Sequence, residues 1–414
     1  MSFSAKTVLM IAIGAVLGGT MTLETVLAAP WNGEVVTRDG VETVVNPAEP
    51  AQGTSSIELA EVWRLGGESE ADEEFFGVIQ DVAVDDDGNV YILDAQLSEV
   101  RVFDAEGNYK HTMGREGEGP GEFRRPMAIT LTPSGHLAVM QMAPGKIVRL
   151  TLDGDPADDF LLPELDGGGR RMLQGMGATK DHMVVLGMDQ QMGSGTVTLN
   201  TKLATYDTES NESGEIFASS REISFASFEF DEVKSGRLEW APTNDGYIFA
   251  SDGFDEYRIR RVRPDGTTDR VIERKYESLA RTDEEIEAAR SSFIIRGPVD
   301  PKITVSNFHP DISELYPRED GSLWVRTSRG DRESDGMFTF DIFDADGKFQ
   351  KQLTVNGEGN SDDDGFRLIG DHLFVLRHQS SARQSMFSAG GGEEDEDEEA
   401  EPMEVICYKI STEG

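Results

Sequence analysis

Four glycines, Gly88, Gly135, Gly246 and Gly321, each stand at the turn between two short apolar runs. Seven residues before them come Asp81, Ala128, Glu239 and Glu314, and six residues after them come Asp94, Gln141, Asp252 and Thr327. A looser alignment adds Gln174 and Asp364 to the first series, and Gly187 and Arg377 to the second. The first series thus carries acids at Asp81, Glu239, Glu314 and Asp364. Carboxylates that converge must hold a cation, share protons or stay hydrated. An oxygen-rich cluster suits calcium, and like charges raise one another's pKa. In the second series Asp94, Asp252 and Arg377 would form a wider ring around the same mouth. Arg115, Arg124 and Arg125 lie between Gly114 and Pro126 and offer an anion site, unless they pair with that segment's own glutamates. The plainer reading of the acids is that each side chain turns aside into a private hydrogen bond.

Other chemistry is thinly represented. The sequence has no Gly-x-Ser-x-Gly elbow, no phosphate loop and no His-Glu-x-x-His motif. Its six histidines, His111, His136, His182, His309, His372 and His378, are scattered and suggest no zinc site. Asp85-Asp86-Asp87-Gly88-Asn89 resembles the start of a calcium loop but lacks the later bidentate acid; Asp-Gly hairpin chemistry explains it. The one cysteine, Cys407, excludes an internal disulfide and a thiolate-rich zinc centre. With 78 acidic and 38 basic residues the net charge is −40, which repels nucleic acid and anionic membrane surfaces.

The elements that place these residues repeat. From Asp81 to Gly114, Val82, Val84, Val90, Ile92, Val100 and Val102 alternate with polar residues, punctuated by Asp87-Gly88 and Glu106-Gly107. That pattern predicts a four-stranded antiparallel meander. Gly88 and Gly107 recur 47 residues later as Gly135 and Gly154. A period of this length with four strands per unit indicates a β-propeller. Looser units follow, giving six blades that begin near residues 78, 126, 172, 236, 311 and 363. The strand Ile57–Leu65 is left over before the first blade, and its simplest place is the outer edge of the last, closing the ring. The fold class is therefore all-β, a six-bladed propeller closed by an N-terminal strand.

Residues 1–28 read as a signal peptide: Lys6, an apolar run from Val8 to Leu17, then small residues before Ala28. The run is too short to span a bilayer. Residues 29–55 read as a flexible linker, and residues 56–414 as the propeller. Within it, Thr282-Asp283-Glu284-Glu285 is a capping box opening a short helix over 282–291, with Ile286 and Ala289 as its buried face. Residues 390–402 hold eight acids and read as a disordered loop. Asn211-Glu212-Ser213 is a glycosylation sequon, short and common, of no expected use.

The stretch Val84-Asp85-x-x-Gly88-Asn89-Val90-Tyr91-Ile92-Leu93-Asp94, then Arg101-Val102-Phe103-Asp104-x-x-Gly107, then Gly117-x-Gly119-Pro120-Gly121-Glu122-Phe123 resembles an NHL repeat. Together with the apparent signal peptide and the Thr-Asp-Glu-Glu insert, the chain is similar to exported bacterial six-bladed propellers. The resemblance is strongest over residues 60–155. It implies a propeller fold and a periplasmic or extracellular location more firmly than an activity. Lactonase-type propellers hold a channel calcium with Glu, Asp and Asn, but here Asn89 and Asn108 stand at turns of the opposite face. Two functions follow as expectations: a non-enzymatic scaffold binding a protein, carbohydrate or small molecule in the cell envelope, or a metal-dependent, lactonase-like hydrolase or lyase with its site in the channel.

Overall fold

The computed structural model describes residues 30–67, 71, 75–165, 169–227, 229–235, 237–291, 302–388 and 401–410. The expected signal peptide and nearly all of the acidic loop lie outside them. Six antiparallel blades follow one another along the chain. Their inner strands start at Ile79, Pro126, Arg170, Glu239, Ile312 and Gly365, close to the positions read from the turn glycines. Blades one and three have four strands each, whereas blade two has three full strands, its outer edge being met by bridges from Pro156 and Phe160.

The N-terminal segment departs from the expected linker. Glu34–Arg38 (β1) and Val41–Asn46 (β2) form a hairpin through Asp39 and Gly40, whose φ angles of +51° and +81° make the turn that Asp-Gly favours. β2 runs parallel to the outer strand of blade four, Thr268–Arg274, and Thr54–Glu58 (β3) runs parallel to the outer strand of blade five, Phe349–Asn356. Ala60–Gly66 (β4) then completes blade six beside Glu404–Lys409. The chain thus straps three blades in turn before closing the ring as expected. Burial of Thr43, Val44 and Asn46 against blade four explains why this segment is ordered. Asn46 is fully engaged: its amide donates to the carbonyls of Glu273 and Gly347, both at 3.0 Å, and its oxygen accepts from Trp31 Nε1 at 2.9 Å and the Phe349 N–H at 2.8 Å.

The core consists of clusters between neighbouring blades. Between blades six and one, Trp63 of β4 packs with Ile79, Ile92, Phe103, Phe374 and Cys407. Trp63 also lies where a Cβ on Gly107 would sit, and Gly107 has φ +83°, so the turn needs glycine twice over. Burial pushes the Cys407 thiol up to about 12, so it packs as an inert apolar group.

Among the described residues three helices interrupt the strands: α1 (Asp283–Ser291), α2 (Ser328–Arg332) and α3 (Gln379–Ser388). The expected capping box opens α1, the Thr282 N–H meeting Glu285 at 2.8 Å and the Glu285 N–H meeting Thr282 Oγ1 at 3.2 Å. Ile286 and Ala289 are only half-buried, since α1 packs on no core cluster. α2 and α3 follow the second strands of blades five and six, which places them at the same end of the ring as the acids of interest.

Candidate functional site

Asp81, Glu239 and Glu314 occupy matching places on their inner strands, paired in register with Leu93, Ser251 and Arg326. In blades one and five the register shifts just before the acid, between Ile79 and Asp81 and between Ile312 and Glu314. Ring closure brings the three together around the channel, where Glu239 and Glu314 repel each other and Asp81 and Glu314 both act on Arg367.

Each acid already has an arginine. Arg367 Nε meets Asp81 Oδ1 at 2.6 Å, and the other Asp81 oxygen accepts the Ile129 N–H at 3.1 Å. Arg326 reaches Glu314 at 3.2 Å and Asp331 at 2.8 Å, held between the rings of Phe338 and Phe366. Arg237 Nε meets Glu239 at 2.7 Å, and its far nitrogen donates to the Ser313 carbonyl at 3.3 Å, tying blade four to blade five. Burial raises the Glu239 carboxyl to about 7; Arg237 works against this and Glu314 adds to it. Burial also opposes the Arg367 charge, but Asp81 and Glu314 outweigh it and hold its pKa above the ordinary arginine value.

Asp364, the expected fourth acid, is not in this cluster. Blade six turns in two residues, Gly370 and Asp371, between the paired Ile369 and His372, so counting back from the glycine lands outside the strand. The residue that meets Asp81 from the neighbouring blade six is Arg367. Asp364 is buried at the start of the blade, accepting the N–H groups of Asn360 at 2.7 Å and His378 at 2.9 Å and facing Arg377 Nε at 3.1 Å.

The second series mostly organises turns. Asp94 has no exposed surface and accepts four backbone N–H groups, from Gly77, Val78, Gln96 and Leu97 at 2.7–3.3 Å. Thr327 caps α2 through the Gly330 N–H at 2.9 Å. Asp252 pairs with Arg260 at 3.3 Å, and Arg377 with Glu358 at 3.0 Å. Arg115 and Arg124 pair with Glu122 at 2.6 Å and Glu118 at 2.8 Å in their own segment. These residues therefore serve the loops around the mouth, and the two loop arginines are engaged by the glutamates beside them.

Calcium does not fit the ring. Six to eight oxygens must turn to the ion, whereas these carboxylates accept from guanidinium groups that would repel a cation. Among the described residues one group has metal-ligand spacing, Asp363, Asp364 and His378, with atoms within 4.8 Å of one another. Its donors are also committed. Asp363 accepts the Ser381 N–H at 3.0 Å and hydroxyl at 2.6 Å in the first turn of α3, and its other oxygen faces His378 Nδ1 at 3.2 Å.

α3 supplies a group that the sequence pattern did not reveal. Gln379 donates to the carbonyls of Ile79 and Gln80 at 3.1 and 3.0 Å, and Ala382 and Met386 pack on the cluster between blades six and one. This lays α3 over the start of blade one and puts Arg383 beside Arg367 and Asp81. Arg383 is half-buried and makes no hydrogen bond or ion pair with any described residue. Burial lowers its pKa and the neighbouring Arg367 lowers it further, while Asp81 works the other way. The mouth therefore joins paired acids to a half-buried guanidinium, Arg383, that no described residue pairs.

Residues 70–163 match the DUF5128 family, described as a 6-bladed beta-propeller. No curated protein matches the chain. Among solved structures, a Bacteroides fragilis protein described as exported is 12% identical over 86% of this chain and 99% of its own, with TM-score 0.44. A member of the DUF4221 family from Bacteroides vulgatus is 10% identical over 85% and 98%, with TM-score 0.46. Virginiamycin B lyase from Staphylococcus aureus is 11% identical over 84% and 99%, with TM-score 0.39. These are distant likenesses of overall architecture. Six blades in sequence order, a strand exchanged between the termini and the match over blades one and two make the chain a six-bladed β-propeller.

Proposed function

We propose that the protein is a non-enzymatic binding propeller whose channel mouth receives an oxyanion group, carboxylate, phosphate or sulfate, of its ligand. The observation that carries this reading is Arg383. It is half-buried beside a second guanidinium, in a chain with twice as many acids as bases, and it forms no ion pair with a described residue; the nearby Asp81 is already bonded to Arg367. A charge held out of bulk water is costly unless a partner neutralises it. Charge-assisted hydrogen bonds to Arg383, with Arg367 alongside, would supply that partner. The arginine pairing of Asp81, Glu239 and Glu314 favours this reading over a metal-dependent hydrolase or lyase. The rest of the ligand, whether protein, carbohydrate or small molecule, would contact the surrounding loops. The reading places the protein in the cell envelope or outside the cell, after export through its N-terminal segment. Among the described residues no helix is long and apolar enough to cross a membrane.

Sulfate is the simplest probe. Titrated at constant ionic strength against sodium chloride, it is expected to raise the melting temperature saturably in the wild type and in Arg383→Lys, but not in Arg383→Ala. An equal response in Arg383→Ala would remove the basis of the proposal.

A further inference from the structure

Blade three is built unlike the others. Its outer three strands, Met183–Met192, Thr196–Tyr206 and Glu212–Ser224, have 10, 11 and 13 residues, against five for each of the last three strands of blade one. They overrun the ring as a projecting sheet. Their register puts Met188 opposite Thr201, Thr201 opposite Ser219, Leu203 opposite Phe217 and Leu199 opposite Arg221. Side chains two apart share a face, so Leu186, Met188, Leu199, Phe217 and Arg221 line one side of the sheet. Leu238, leading into blade four, covers part of that side and leaves a cavity of about 190 Å³ between.

The cavity has a mixed lining: five apolar side chains, Leu186, Met188, Leu199, Phe217 and Leu238, the polar Gln174, Thr201, Ser219 and Ser235, and one charged end at Arg221. Arg221 is half-buried at the edge, its guanidinium lies 5.7 Å from the centre of the Phe230 ring, and it also borders a neighbouring cavity shared with Glu229 and Asp231. Other basic residues of this region have acids: Arg171 with Asp189 at 2.7 Å, Lys202 with Glu212 at 2.6 Å, Lys234 with Asp231 at 2.9 Å. No described residue pairs with Arg221. A cavity of roughly 150 Å³ lined by Leu, Ile and Phe takes up benzene, so this one has room for an apolar group of about six carbons. A guanidinium at its rim matches a carboxylate in charge and in hydrogen-bond geometry.

We infer that the projecting sheet of blade three forms a second binding site, distinct from the Arg383 site on blade six, for a small carboxylate with an apolar body of about six carbons. The apolar part lies against Leu186, Met188, Leu199, Phe217 and Leu238, and the carboxylate meets Arg221.

The test uses hexanoate and its uncharged analogue 1-hexanol, followed by the Met188 methyl resonance in ¹³C-methionine-labelled protein. Hexanoate is expected to shift this resonance saturably. Arg221→Ala should weaken hexanoate at least tenfold while leaving 1-hexanol unchanged, and Arg221→Lys should retain most of the affinity. Arg383→Ala should leave hexanoate binding as it is, which separates this site from the channel mouth. No shift at Met188, equal hexanoate affinity in the wild type and Arg221→Ala, or loss of binding in Arg383→Ala would each overturn the inference.

Discussion

Glu239→Gln offers a quantitative probe of the channel. The folded protein holds this carboxyl at about 7, against 4.5 for an ordinary glutamate. The gap corresponds to roughly 3 kcal/mol at about 1.4 kcal/mol per pH unit. The Glu239 side chain retains 23% exposure to the lumen, and screening there brings the expected effect nearer to about 2 kcal/mol. The sign follows from proton counts. Between pH 4.5 and 7 the folded state holds the Glu239 proton more tightly than the unfolded chain, so stability falls as pH rises through that window and is level above it. Glutamine cannot ionise, yet its oxygen can still accept from Arg237. Urea unfolding of both proteins at pH 5 and pH 8 gives a difference of differences in which all other titrating groups cancel. The variant should lie within about 1 kcal/mol of the wild type at pH 5 and exceed it by about 2 kcal/mol at pH 8. A gap independent of pH, or one that favours the wild type at pH 8, would refute the burial and charge arrangement assigned to Glu239.

Other perturbations separate framework from site. Asp94→Ala strands four backbone N–H groups inside the first blade and should cost about 3 kcal/mol or more, seen as a lowered urea midpoint. Asn46→Ala removes the hub joining the strap to blades four and five and should cost about 3 kcal/mol by the same measurement. Arg115→Ala with Arg124→Ala should change stability by less than about 0.5 kcal/mol and leave the sulfate response intact, because both ion pairs are exposed.

The ring was legible because its turns are periodic: each Asp-Gly or equivalent pair fixes a hairpin, and the distance between hairpins fixes the blade. The same spacing located Asp81, Glu239 and Glu314, whose blades share one turn length. It failed at Asp364, where a two-residue turn changed the count and put Arg367 in the ring instead. Arg326 comes from the second strand and Arg383 from a helix inside a connection, so no inner-strand spacing could point to either. The β1–β2 hairpin had a visible signal in Val35-Val36, Asp39-Gly40 and Val44-Val45, obscured by the surrounding Pro, Gly and Thr. Its parallel docking on blade four depends on contacts more than 200 residues apart, such as Val44 with Ile272, which local pattern does not encode.

The central claim is that an oxyanion settles at the channel mouth against Arg383 and Arg367. Its most direct test is a crystal of the full chain soaked in selenate, an anomalous scatterer and an isostere of sulfate. The account predicts an anomalous peak within hydrogen-bond distance of the Arg383 guanidinium, absent in Arg383→Ala crystals treated alike. A mouth without the peak in the wild type, or a peak there that survives Arg383→Ala, would contradict it.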